Sequence, residues 1–162
     1  MKHEQSDLAL ILKLLDEAYE KKTWHGPNLR GSLRGVTPVE AVWRPSPERH
    51  NIWEEFVHAA YWKYIVRRRL LGEKRGSFPL KGSNWFKRPL NATEAALRED
   101  LFLLEMTHRS LREAVAGMTP SQLHRTPAGS KVSNISQAYG IAFHDVYHAG
   151  QIQLLKRLQT QR

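Results

Sequence analysis

Apolar residues recur at three- and four-residue steps in four long stretches of the chain. From about 7 to 23, Leu8, Ile11, Leu12, Leu15, Ala18 and Tyr19 share one side, with Lys13, Asp16 and Lys22 between them. That spacing is the mark of an amphipathic helix. From about 51 to 72 the chain is apolar on most sides (Ile52, Trp53, Phe56, Val57, Ala59, Ala60, Tyr61, Trp62, Ile65) and predicts a largely buried helix. A third stretch, 93–117, carries Leu97, Leu101, Leu104, Met106, Leu111 and Val115. A fourth, 134–159, would extend roughly 38 Å at 1.5 Å per residue.

The intervening 24–50, 73–92 and 118–133 are rich in Pro, Gly and polar residues, and no stretch alternates as a strand does. The pattern predicts an all-α protein: one domain over 1–162, an up-down-up-down four-helix bundle with long connecting loops. Two connections share a motif, Gly35-Val-Thr-Pro-Val-Glu and Gly117-Met-Thr-Pro-Ser-Gln. Each combines a Gly stop with a Thr-Pro-x-(Glu/Gln) capping box. Either two related helix pairs or repeated use of a common cap explains it.

Composition narrows the chemistry. The 162 residues include no Cys, which excludes disulfides, thiolate zinc sites, iron–sulfur clusters and a Cys nucleophile, and fits a cytoplasmic protein. No apolar run approaches the ~20 residues of a membrane span, and the opening Met1-Lys-His-Glu-Gln-Ser-Asp does not read as a signal peptide. Lys and Arg number 25 against 16 Asp and Glu, a net charge of +9. The cations are spread along the chain. The densest group, Arg67-Arg68-Arg69 with Lys74-Arg75, sits where it complements a helix C-terminus. A nucleic-acid partner is therefore not expected.

The sharpest chemical signal is His144-Asp-Val-Tyr-His148 in the fourth helix. Two His at i and i+4 project from one face and can chelate one ion. Ile141, Ala142, Phe143, Val146 and Ile152 surround them, and unpaired imidazoles in such a setting are costly. Gly140 one turn earlier and Gln151 three residues later leave room for a cavity. The motif differs from the zinc-peptidase His-Glu-x-x-His in its shorter acid, and no His, Asp or Glu follows His148 to act as a third ligand.

The third ligand must lie upstream, among His3, His25, His50, His58, His108 and His124. His58, inside the most apolar helix, is the best placed. Glu54, one turn earlier, would orient it, as partners of metal-bound His do. In an up-down-up-down bundle the second and fourth helices run in the same direction, at depths that match to ~5 Å. His108, flanked by Glu105, Arg109 and Arg112, reads as solvent-facing. His50 precedes the second helix, with Asn51 as its cap. Asp145 points away from His144, and Trp53, Phe56, Trp62 and Phe143 read as packing.

Three motifs, His50-Asn-Ile-Trp-Glu-Glu-Phe-Val-His58, the Trp24-His-Gly-Pro27 turn and His144-Asp-Val-Tyr-His-Ala-Gly-Gln-Ile-Gln-Leu-Leu-Lys156, make the chain resemble the DinB-like family over roughly 7–158. The resemblance implies a four-helix bundle and one divalent metal held by His58, His144 and His148. It also implies transferases or isomerases that use a low-molecular-weight thiol.

Three protein ligands leave positions open for water or substrate, and zinc tolerates a thiolate there. A metal-dependent hydrolase or thiol S-transferase acting on a small molecule follows, with a non-catalytic metal-binding module as the alternative. Zinc or nickel is the ion expected on purification. In the simple bundle, 24–50 and 118–133 cover the metal, with Trp24 and His25 at the rim as substrate contacts beside Gln151. His25 and Tyr147 are the candidate proton-transfer groups, and Trp24 serves equally well as a hydrophobic staple. Spare apolar surface and the family resemblance point to a homodimer.

Overall fold

The computed structural model describes residues 2–74, 76 and 78–160, with side chains from Asp7 onward. Among these residues the chain is helical, without strands. Four long helices, α1 (Lys2–Tyr19), α4 (Ile52–Leu71), α5 (Glu94–Ala116) and α7 (Asn134–Thr160), form a four-helix bundle. Three short ones, α2 (Leu29–Ser32), α3 (Pro38–Val42) and α6 (Pro120–His124), lie in connections expected to be loops.

Local sequence sets the boundaries. Asn51 caps α4 by accepting from the Glu54 amide, and Glu54 returns to the Asn51 amide. Gly72 ends α4 in the left-handed region at φ 66°, where a side chain would be strained. The paired Thr-Pro motifs both become short capped helices: Thr37 and Thr119 each form a full capping box with Glu40 and Gln122.

The order of helix directions departs from up-down-up-down. Trp53 donates to Asp100 and Lys63 to His108, so positions advance together along α4 and α5 and the two run parallel. Glu55 meets His148 and Lys63 meets Asp145, so α4 and α7 are antiparallel. Asp16 pairs with Arg112 and Glu20 with Arg109, which makes α1 antiparallel to α5. The bundle is up-down-down-up. The reason is the length of 72–93: a twenty-residue helix is about 30 Å long, and that segment is long enough to run back beside it.

This corrects the placement of the loops. The 118–133 connection lies at the far end, where His124 holds Asp7 near the start of α1. The 72–93 segment instead returns past the site.

Two apolar clusters fill the interior. One gathers Tyr19, Leu29, Ile52, Trp53, Phe56, Leu104 and Ile152; the other gathers Ile11, Leu15, Val66, Leu111, Leu123 and Ile141. Between them lies a polar layer. Lys63, fully buried, donates to Asp145 and to His108 Nδ1 at 3.4 Å. His108 is buried and stacks on Tyr19 at 3.8 Å, which overturns its reading as solvent-facing. Its neighbours Arg109 and Arg112 face Glu20 and Asp16 at the end of α1, so charged residues around it in sequence do not report its own direction. Asp145 is likewise buried. Phe143 is 59% exposed, against its reading as packing, because the inward arc of α7 at that level is taken by Ala142, Asp145 and His148.

Candidate metal centre

His58 comes from the second turn of α4, and His144 and His148 come from successive turns of α7. The antiparallel packing of the two helices brings the three rings together. His144 Nε2 lies 3.2 Å from His58 Nε2 and 3.1 Å from His148 Nε2. One ligand atom from each ring falls within 4.8 Å of the others. Nitrogens bound to one tetrahedral ion at 2.0–2.1 Å stand about 3.3–3.4 Å apart, so the observed spacings suit a single cation.

The outer nitrogens explain why the inner ones suit a cation. His58 Nδ1 donates to the Asn84 carbonyl at 2.8 Å, and a carbonyl only accepts. The proton of His58 therefore sits on Nδ1 and its Nε2 lone pair points inward. His148 Nδ1 meets Glu55 Oε2 at 2.5 Å, which fixes the same tautomer. His144 Nδ1 is buried without a partner. Of three converging Nε2 atoms, two thus present bare lone pairs, an arrangement that a divalent ion relieves.

Burial holds His58 down to about 4 and His144 to about 3, so both are neutral and able to ligate at physiological pH.

The groups that orient the ligands differ from those expected. Glu54 does not hold His58; it binds Arg44 at 2.5 Å and His50 Nδ1 at 3.1 Å. Glu55, one residue on, reaches His148 across the helix interface. His58 is held by 84–85 instead. Asn84, at φ 62°, offers its carbonyl to His58 and its side-chain oxygen to Trp62 Nε1 at 2.9 Å. Trp85 stacks on His58 at 3.9 Å and on His50 at 3.6 Å. Lys63 also escaped notice, although a cation in so apolar a helix was a visible signal for a buried partner.

Two openings flank the triad. A cavity of about 480 Å³ adjoins His148 and is lined by Trp85, Tyr147, Gln151 and Arg49 among others. A smaller one of about 200 Å³ adjoins His144 and is bounded by Trp62, Gln137 and Gly140, where a Cβ would meet open space. Tyr147 and Gln151 thus stand beside the centre. Trp24, 96% exposed, and His25 line neither cavity, and the ring contact of each is with the other. That exposure also removes Trp24 as a staple. His3 lies outside the residues whose side chains are described.

The fold and the centre define a helical-bundle protein with a three-histidine group able to hold a metal. A model of the DinB superfamily matches residues 23–152, and the chain belongs to that superfamily. No curated protein and no solved structure matches it. Among the described residues no helix is long and apolar enough to cross a membrane.

Proposed function

We propose that the protein is a metal-dependent enzyme of the hydrolase or thiol S-transferase kind, acting on a small molecule at a divalent ion held by His58, His144 and His148. The convergence of three Nε2 atoms, two with their protons fixed on the far side of the ring, carries this reading. A zinc or nickel ion suits three neutral imidazoles and would supply a Lewis-acid position open to substrate or to a thiol.

The chain's own residues perform the rest. Glu55 holds the His148 ring and would offset part of the charge of a bound ion. Asn84 and Trp85 fix the plane of His58. The 480 Å³ cavity admits a small ligand against His148, where Gln151 supplies an amide and Tyr147 a phenol for orienting it or relaying a proton at Oη. A homodimer accords with the outward Tyr139 and Phe143 of α7.

Zinc-loaded, tag-free protein assayed with an ester panel and with thiol–electrophile pairs tests the reading. Turnover that disappears in His144→Ala is expected. Stoichiometric zinc without turnover on any pair would replace it by a non-catalytic metal-binding module.

A further inference from the structure

The cavity beside His148 has two chemically different ends. Much of its lining is apolar and exposed: Tyr147 is 62% exposed, Leu154 53% and Leu158 37%, and Trp85 and Pro45 join them. Large apolar side chains gathered around one cleft mark a surface that a ligand covers. The inner end is closed by Glu55 and His148, which are bonded to each other.

The outer end is cationic. Arg49 lines this cavity and also a neighbouring one of about 560 Å³, which shares His50 and Trp85 with it. The other arginines of that second cavity are already engaged, Arg44 with Glu54 and Arg88 with Asp100. Arg49 is exposed and has no ion pair among the described residues, and the same holds for Lys87 nearby. Glu48 is the one unpaired acid on that rim. A larger cavity, between α1, α2 and α5, lies away from the triad, and its Glu20, Arg30 and Glu105 are tied to one another or to Arg109.

We infer that the cavity beside His148 takes an amphipathic organic acid, with its anionic group on Arg49 and its apolar body against Trp85, Tyr147, Leu154 and Leu158. The reactive part of such a molecule faces the triad; that last point rests on the function proposed above, whereas the binding does not. His50, next to Arg49 in the chain, stacks on Trp85 at 3.6 Å and Trp85 stacks on His58 at 3.9 Å, so a ligand held by Arg49 that also meets the triad spans that stack. The ligand is therefore elongated, and a short acid fails to reach both ends. Arg suits a carboxylate because its fork donates two parallel hydrogen bonds.

Calorimetric titration of the 162-residue chain with octanoate, butyrate and uncharged octanamide tests this, in metal-free and zinc-loaded protein. Octanoate should bind metal-free protein about tenfold or more tightly than octanamide, and butyrate more weakly than either. Arg49→Gln should erase the advantage of octanoate over octanamide while leaving the melting temperature unchanged. Leu154→Ser should weaken both eight-carbon ligands alike.

Equal binding of octanoate and octanamide overturns the inference, as does indifference to Arg49→Gln or the absence of octanoate binding. Octanoate binding only to zinc-loaded protein, unaffected by Arg49→Gln, shows the acid on the ion and overturns it as well. Zinc titration of the same samples separates the two readings. Failure to bind zinc removes the proposed enzyme but leaves an acid site, and failure to bind octanoate removes the acid site alone.

Discussion

Glu54 and Glu55 are adjacent and chemically identical, yet the structure gives them different work, and replacing each in turn exposes the difference. Glu55 accepts from His148 Nδ1 at 2.5 Å in a buried setting. Glu55→Gln keeps the size and an acceptor oxygen but removes the charge. A hydrogen bond to a charged group contributes roughly 1.5–3 kcal/mol and one between neutral groups about 0.5–1.5. The difference, about 1–2 kcal/mol, corresponds to roughly a 5–30-fold loss of metal affinity. Glu55→Ala removes the acceptor altogether and should reach the upper part of the ~10–100-fold range typical of such partners. Glu54→Gln disturbs Arg44, His50 and the cap of α4, but no ligand directly. It should lower the melting temperature and weaken zinc by less than about threefold. Competition titration with a chromophoric zinc chelator reads all three constants. Wild-type zinc affinity in Glu55→Gln, or greater damage from Glu54→Gln than from Glu55→Gln, would refute this division of roles.

Lys63→Met leaves Asp145 as an uncompensated buried acid and should cost about 3–5 kcal/mol, most of it restored by adding Asp145→Leu; urea unfolding in chelator measures both, and a mild single variant would contradict the pairing. In metal-free protein, burial holds His58 to about 4, His144 to about 3 and His108 to about 2, all below the ordinary 6.5. The unfolded chain therefore takes up protons that the folded one refuses. Stability should be full above about pH 6.5 and fall as pH drops below it, with a slope of up to about 1.4 kcal/mol per pH unit for each His. Burial raises Asp145, and this offsets at most one of the three. A urea midpoint that holds steady or rises between pH 7 and pH 5 would refute this. Trp85→Ala should free the His58 ring and weaken zinc several-fold, measured in the same competition assay, whereas Trp24→Ala should leave zinc binding unchanged.

The four long helices were legible because each is a long run of apolar residues at helical spacing, and two of them open on a recognisable cap, Asn51 and Thr93. The triad was legible for a related reason: i, i+4 spacing on α7 is a local geometry, and an imidazole amid the apolar run of α4 needs a partner. What lay beyond local pattern was how the helices pair. Periodicity says which face is buried but not which direction a neighbour runs, so 73–92 reads as a loop rather than as the returning strap that delivers Asn84 and Trp85. The choice between Glu54 and Glu55 fails on the same point. The two differ by 100° around α4, and only the position of α7 decides which one meets a ligand. His108 and Lys63 belong to a buried polar layer built from three helices, for which the flanking charges are a poor guide. Trp24 stood in a motif and looked chemical, but it is 96% exposed and apart from the triad's cavities.

X-ray absorption at the zinc edge, on tag-free protein loaded to saturation, reads the ligands of the ion itself. One ion per chain with three imidazole nitrogens at about 2.0–2.1 Å, reduced to two in His58→Ala, is the expected result. A loaded ion with fewer than three imidazoles, or a spectrum that His58→Ala leaves unchanged, would contradict a centre shared by α4 and α7.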